Sequence, residues 1–238
     1  DLGEDDHLID LLNTRGVART ALPGMDWQTD LESSLALALE RGSWRASRSY
    51  LNLGSTLLAY AADIARSDSV TREGMAYSEK LGFRSPMVWF RSNLAESTFH
   101  LGNWAEALAL VDADLAGPEP HYMWAQSWTV RYLIRLAHGD AEGALADAES
   151  AADLGRSIVD TQAYIPSLAA LAHASARTRN AETATAAIDE LENLLQRTGQ
   201  SGGTVGPWVV NFALALLGLG RGVERLASIA QIKTTTPW

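Results

Sequence analysis

A turn-forming residue recurs about every forty positions along this chain, and that spacing restricts the fold more than any other feature. The twelve-residue stretch HLGNWAEALALV (100–111) joins a Leu-Gly-Asn-Trp corner to an alanine- and leucine-rich helical run. Taking Gly102 as its turn, comparable turns fall near Gly24, Ala61, Gly139, Arg179 and Gly220, at spacings of 37, 41, 37, 40 and 41 residues. Five residues past the turn stand Ala107, Ala144 and Ala184. Seven before it stand Gly54, Ala95, Ala172 and Ala213, and eight before it Leu53, Leu94, Leu171 and Phe212. Two helices of a hairpin approach closely only where side chains are short, and the large residue one position earlier fills the space between pairs.

The segments between turns are helical. Apolar residues recur three and four apart, strand signals are scarce, and starts and stops are well marked. Ser85-Pro86 places a capping residue before a first-turn proline, and Asn103, Asp140 and Asn180 each precede a helical run. Gly42, Gly82, Gly102, Gly139 and Gly220 suit the left-handed residue just past a helix end. About twelve helices are predicted, starting near residues 5, 26, 43, 68, 86, 103, 119, 140, 160, 180, 204 and 221. The expected fold is all-α, a right-handed superhelix of about six antiparallel hairpins forming one domain over 1–238.

The pattern resembles the tetratricopeptide repeat (TPR), whose unit is two antiparallel helices with small residues at their crossing. The period here exceeds the usual 34, which places extra residues in the turns between pairs. The pair from Val88 to Leu115 fits best. Pair one and the second helices of pairs two and six fit poorly, with Arg66 and Arg225 where the crossing alanine is expected; degenerate end repeats suit units facing water on one side. A narrower resemblance rests on NTRGVART (13–20), TDLESSLALA (29–38), YLNLGSTLLAY (50–60), SNLAESTFHLGNWAEAL (92–108) and RYLIRLAHGDAEGALADAESA (131–151). In this order they look like the carboxy-terminal helical repeats of large, mainly actinobacterial, signalling ATPases. The resemblance implies a regulatory scaffold module and transfers no catalytic residue. A chain that opens on Asp1, without an initiator methionine, is expected to be a piece of such a longer protein.

Composition removes several function classes. Acidic residues outnumber basic ones 29 to 19, for a net charge of -10, which argues against direct binding of nucleic acid or anionic lipid. The absence of cysteine excludes disulfides, thiolate zinc sites and cysteine nucleophiles, and suits the cytoplasm. No stretch approaches the roughly 18 consecutive apolar residues that span a bilayer.

Motifs that suggest chemistry have simpler readings. Gly199-Gln200-Ser201-Gly202-Gly203 matches the nucleophile-elbow pattern G-x-S-x-G, but no strand precedes it to hold the serine under strain. Gly218-Leu219-Gly220-Arg221-Gly222 lacks the Lys-Ser/Thr of a phosphate loop and reads as a helical corner. His7, His100, His121, His138 and His173 show no metal spacing, and the acids of EDDHLID (4–10) suit the positive end of a helix. Asp112 with Asp114, and Asp147 with Glu149, are two apart and point to different helix faces. Neither a cofactor nor a metal is expected, and no acid, base and nucleophile converge. Trp104 and Trp128 are expected between helices, whereas Trp89, at a helix start, suits packing and a groove equally.

One column of residues is more specific. Nine positions before each turn lie Asn52, Asn93, Val130, Ala170 and Asn211, on the side expected to face a concave groove. An asparagine offers a donor and an acceptor together, which suits an extended peptide backbone; in peptide-binding TPR domains an asparagine at the matching place contacts the ligand. The same column equally suits side chains that bond a neighbouring helix or water. The expected partner site is the wall Arg48, Asn52, Trp89, Asn93, Glu96 and His100, which would bind a protein segment or another domain of the parent chain. The competing reading is a sensor that holds a small effector on the same surface.

Overall fold

The structure, a computed structural model, describes residues 2–22, 24–117, 121–198 and 208–221. Among them are eleven α-helices and one π-helical turn, and no strand. The fold is all-α. The chain divides between Gly102 and Asn103 into two compact units.

The first unit holds α1 (Leu2–Arg19), α2 (Gln28–Glu40), α3 (Ala46–Thr56), the π turn (Leu57–Ala61), α4 (Ile64–Lys80) and α5 (Met87–His100). Here α1 packs on α2 and α3, and α3 packs on α4 and α5. Each first helix of a pair thus touches its own partner and the first helix of the next pair. Ile9, Leu31, Leu53, Leu57 and Phe90 form the core between them. The second unit holds α6 (Trp104–Leu115), α7 (Trp124–Ala137), α8 (Ala141–Ile158), α9 (Thr161–Arg177), α10 (Ala181–Thr198) and α11 (Trp208–Gly218). The same scheme repeats, with α7 on α8 and α9, and α9 on α10 and α11. Its core is built from Tyr132, Ile165, Leu168, Ile188, Leu191 and Leu216 around a run of alanines.

The turns follow the sequence pattern closely. Gly24, Gly102, Gly139, Arg179 and Gly220 all adopt left-handed φ, between 61° and 84°. Ala107, Ala144 and Ala184 are fully buried, as are Ala95 and Ala172, while Leu53, Leu94, Leu171 and Phe212 are buried beside them. Ala213 is only partly covered. Asp140 and Asn180 cap α8 and α10 by accepting from Gly143 N at 2.9 Å and Thr183 N at 3.2 Å. Asn103 stands at the start of α6 but makes no side-chain cap bond.

Two departures have a local cause. Pair two turns at Ala62, φ 51°, and α4 begins at Ile64 rather than near residue 68, with Asp63 accepting from Arg66 N as its cap. The π turn at the end of α3 inserts one extra residue, so five positions past the turn is Ser67, not Arg66. Ser67 is buried and its hydroxyl donates to Gly54 O at 2.7 Å. Pair two therefore has its small crossing residue after all. In pair one the crossing residue is Gly16: a Cβ there would lie 2.7 Å from Leu31 Cγ. The helix expected to begin near residue 221, with Arg225, lies outside the described residues, as does the start expected near 204; α11 is described from Trp208.

The crossing register yields an expected result. Ala144→Leu, and likewise Ala107→Leu, should cost about 1–3 kcal/mol by overpacking. Urea unfolding that leaves both midpoints at the wild-type value would show that these alanines have room beside them.

Candidate functional site

The six residues of the expected wall all lie in the first unit. Arg48 and Asn52 stand one turn apart on α3, and Trp89, Asn93, Glu96 and His100 share one face of α5 at spacings of four, three and four. The contact between α3 and α5 brings the two sets to neighbouring helices.

Their environments differ. Arg48 is exposed, with its guanidinium 3.6 Å from Asp10 on α1. Asn52 is half-buried, and its amide donates to Oδ1 of Asn13 on α1. Asn13 is fully buried and passes the bond inward: its Nδ2 donates to Ser49 Oγ at 3.3 Å. Ser49 and Ser34 share a hydroxyl bond of 2.8 Å, and Ser34 Oγ donates to Ile9 O at 2.9 Å. Asn52 is thus the outer end of a polar chain joining α1, α2 and α3, each member satisfied by the next.

Asn93 is 8% exposed, and Asn211, on α11 of the second unit, 9%. Val130 and Ala170, which share their register, are buried as well. The column nine before the turn is therefore largely a packing position, and Asn52 is its more accessible asparagine. Trp89, Glu96 and His100 are half-exposed. The His100 ring meets Phe99 edge-on at 5.2 Å, and burial pushes its pKa below the ordinary histidine value.

Other features singled out in the sequence have these surroundings. The acids of EDDHLID face arginines: Asp5 lies 3.0 Å from Arg41, and Asp6 2.7 Å from Arg45. Gly220 turns the end of α11, with Arg221 N donating to Leu216 O at 3.0 Å. The G-x-S-x-G match at 199–203 lies outside the described residues. Trp104 meets His138 edge-on at 5.7 Å, and Trp124 meets Trp128 at 5.9 Å. Among the described residues no three His, Asp or Glu side chains are grouped to hold a metal ion, and no helix is long and apolar enough to cross a membrane.

The sequence reading missed a recurrent arginine clamp. In pair one, Asp30 is buried on α2 and accepts from Arg15 Nε at 2.8 Å, Arg15 Nη2 at 2.6 Å and Arg19 Nη1 at 2.7 Å. The Arg15 hydrogen bonds hold the Asp30 carboxyl below the usual carboxylate range, against the desolvation that would raise it. In pair four, Arg131 and Arg135 close on Asp147 of α8 in the same way. The signal was present as two arginines four apart before a turn and an aspartate a few residues past it.

No family model matches the chain, and no curated protein does. Among solved structures, the chain is similar to a single-substitution variant of nearly identical TPR-like repeats assigned to a kinesin light chain of Podospora anserina. Identity is 15%, the TM-score is 0.52, and the match covers 83% of this chain and 96% of the other. That likeness, with the helix-pair packing described above, places the fold in the class of TPR-like helical repeats.

Proposed function

We propose that the chain is a non-catalytic interaction module of a bacterial cytoplasmic regulatory protein, with 1–238 working as one repeat domain of a longer chain. It binds a peptide segment or another domain of its parent through the wall Arg48, Asn52, Trp89, Asn93, Glu96 and His100. One observation carries the reading: a single unit sets a cation, an asparagine amide, an indole, a carboxylate and an imidazole on adjacent helices, most of them partly accessible. That mixture suits an extended polypeptide, whose backbone needs a donor and acceptor and whose side chains vary. A small-molecule site would instead need a closed concavity. TPR-like repeats as a class are commonly protein-binding surfaces, and the five cited stretches resemble repeats of signalling ATPases.

The test compares capture of a partner from lysate by the wild-type chain and by Asn52→Ala/Asn93→Ala. Each backbone hydrogen bond is worth roughly 0.5–1.5 kcal/mol net, so losing the one to the accessible Asn52, with a smaller share from the largely buried Asn93, should weaken binding about tenfold. Asn52→Ala also leaves Asn13 without its acceptor role, so Arg48→Glu and Trp89→Ala serve as second variants with that chain intact. Equal capture by every variant, each with a wild-type unfolding midpoint, would move the site away from this wall.

A further inference from the structure

The α2–α3 and α4–α5 turns of the first unit present an aromatic ridge that the wall does not use. Gly42 and Gly82 adopt left-handed φ of 60° and 69°. Ser43 N donates to Ala38 O and Phe83 N to Ser78 O, both at 2.8 Å, so the two helix ends close alike. Tyr77 Oη donates to Ser43 O at 3.1 Å and fastens one turn to the other. On this frame Trp44, 53% exposed, stands 5.7 Å from Phe83, 37% exposed, and Leu81, two residues before Phe83 in the same turn, is 48% exposed. The Arg45 guanidinium lies 4.9 Å from the Trp44 ring centroid and is itself held by Asp6 at 2.7 Å and Asp10 at 3.0 Å.

Single exposed apolar residues are ordinary, whereas a contiguous group on a rigid frame marks an interaction site. Tryptophan is prominent among interface anchors, and groups already fixed in place lose little entropy on binding. The surrounding charge indicates the partner. Lys80 and Arg84 flank Leu81 and Phe83, both are exposed, and neither makes an ion pair among the described residues. Glu79 is the single carboxylate in the stretch 79–84, so the α4–α5 turn carries a surplus of one positive charge in a chain of net charge -10. Arg41 and Arg45 at the neighbouring turn are already paired with Asp5, Asp6 and Asp10. We propose that the Trp44–Phe83–Leu81 ridge, with Lys80 and Arg84, docks an acidic protein segment bearing a large apolar side chain. The apolar side chain lies across the two rings, and flanking carboxylates pair with the two cations.

The probe is a short fluorescein-labelled peptide with a central leucine-phenylalanine pair between glutamates, read by anisotropy. Binding should saturate, weaken as salt rises, and fall about tenfold in Trp44→Ala and in Phe83→Ala. Lys80→Glu/Arg84→Glu should weaken it severalfold, and Asn52→Ala should leave it unchanged, which separates this ridge from the α3–α5 wall. All variants are checked for wild-type circular dichroism. The assignment is overturned by non-saturable binding, by equal affinity for a peptide with lysines in place of glutamates, or by unchanged affinity in both aromatic variants. A wild-type dimer in sedimentation that Trp44→Ala dissolves would give the ridge to a second copy of the chain and overturn it too.

Discussion

Replacing Asp147 with alanine should lower the unfolding free energy by about 3 kcal/mol, the lower end of the cost of breaking a buried ion pair from one side. The Asp147 side chain is 4% exposed and accepts from Arg131 Nε at 2.9 Å and Arg131 Nη2 at 2.8 Å, with Arg135 Nη1 ion-paired to it at 2.9 Å. Deleting the carboxylate leaves Arg131, 18% exposed, with Asp112 at 2.9 Å as its remaining carboxylate. Arg135 keeps its bond to Gly143 O at 2.8 Å, which moderates the loss. Asp112 is itself 65% exposed, so Asp112→Ala removes a screened surface pair and should cost less than about 1 kcal/mol. Urea unfolding of the two variants at neutral pH makes the comparison. Equal destabilisation by both would mean that Asp147 is a solvated partner and that the clamp does not hold α7 to α8.

How much of this was legible follows from where each signal resides. A left-handed turn residue is a local requirement, so glycines announced the turns without knowledge of the fold. The alanines at helix crossings were legible because closeness leaves a mark at a fixed distance from the turn. Pair two misled the count, since the run LLAYA (57–61) looks the same whether it closes as an α or a π turn. One hidden residue moved the crossing position from Arg66 to Ser67. Pair one hid its Gly16 because the connection from α1 to α2 is longer, and seven positions before Gly24 lies Val17, which is exposed.

The candidate site was legible as a column but not as an environment. Asparagine at a repeated place is visible in sequence, yet what it bonds depends on a partner far along the chain. Asn52 meets Asn13, 39 residues upstream, and Trp44 meets Phe83 at the same separation. That separation is one repeat, so the turn spacing aligns the two positions, but it does not say which side chains meet across them. The arginine clamps add a reason for a degenerate repeat. Where pair four has Arg131 and Tyr132 in place of a large apolar and a small residue, its helices are joined by an ion-paired aspartate and a buried ring.

A histidine packed against that ring sets the second large effect, a loss of stability on mild acidification. Tyr132 is fully buried, and its hydroxyl lies 3.5 Å from Nδ1 of His173 on α9, with the two rings edge-on at 6.1 Å. Burial, and then the nearby Arg177 charge, pushes His173 down to about 4 from an ordinary 6.5. The folded chain therefore keeps this imidazole neutral while the unfolded chain protonates it. Stability is fully present above pH 6.5 and is lost as pH falls toward about 4, by about 3 kcal/mol at 1.36 kcal/mol per unit. The carboxyls of Asp30 and Glu190, both lowered chiefly by arginine hydrogen bonds, lose their contribution only at more acid pH, because their folded forms release protons more readily. Between about pH 5 and 6.5 the slope thus belongs to histidines, and His100 and His121, also lowered by burial, add to it in the same direction. Urea unfolding at pH 7 and pH 5 should show a loss of about 2 kcal/mol in the wild-type chain and less than half of that in His173→Gln. An unchanged loss in the variant would place the titrating group elsewhere and leave Tyr132 and His173 as packing neighbours alone.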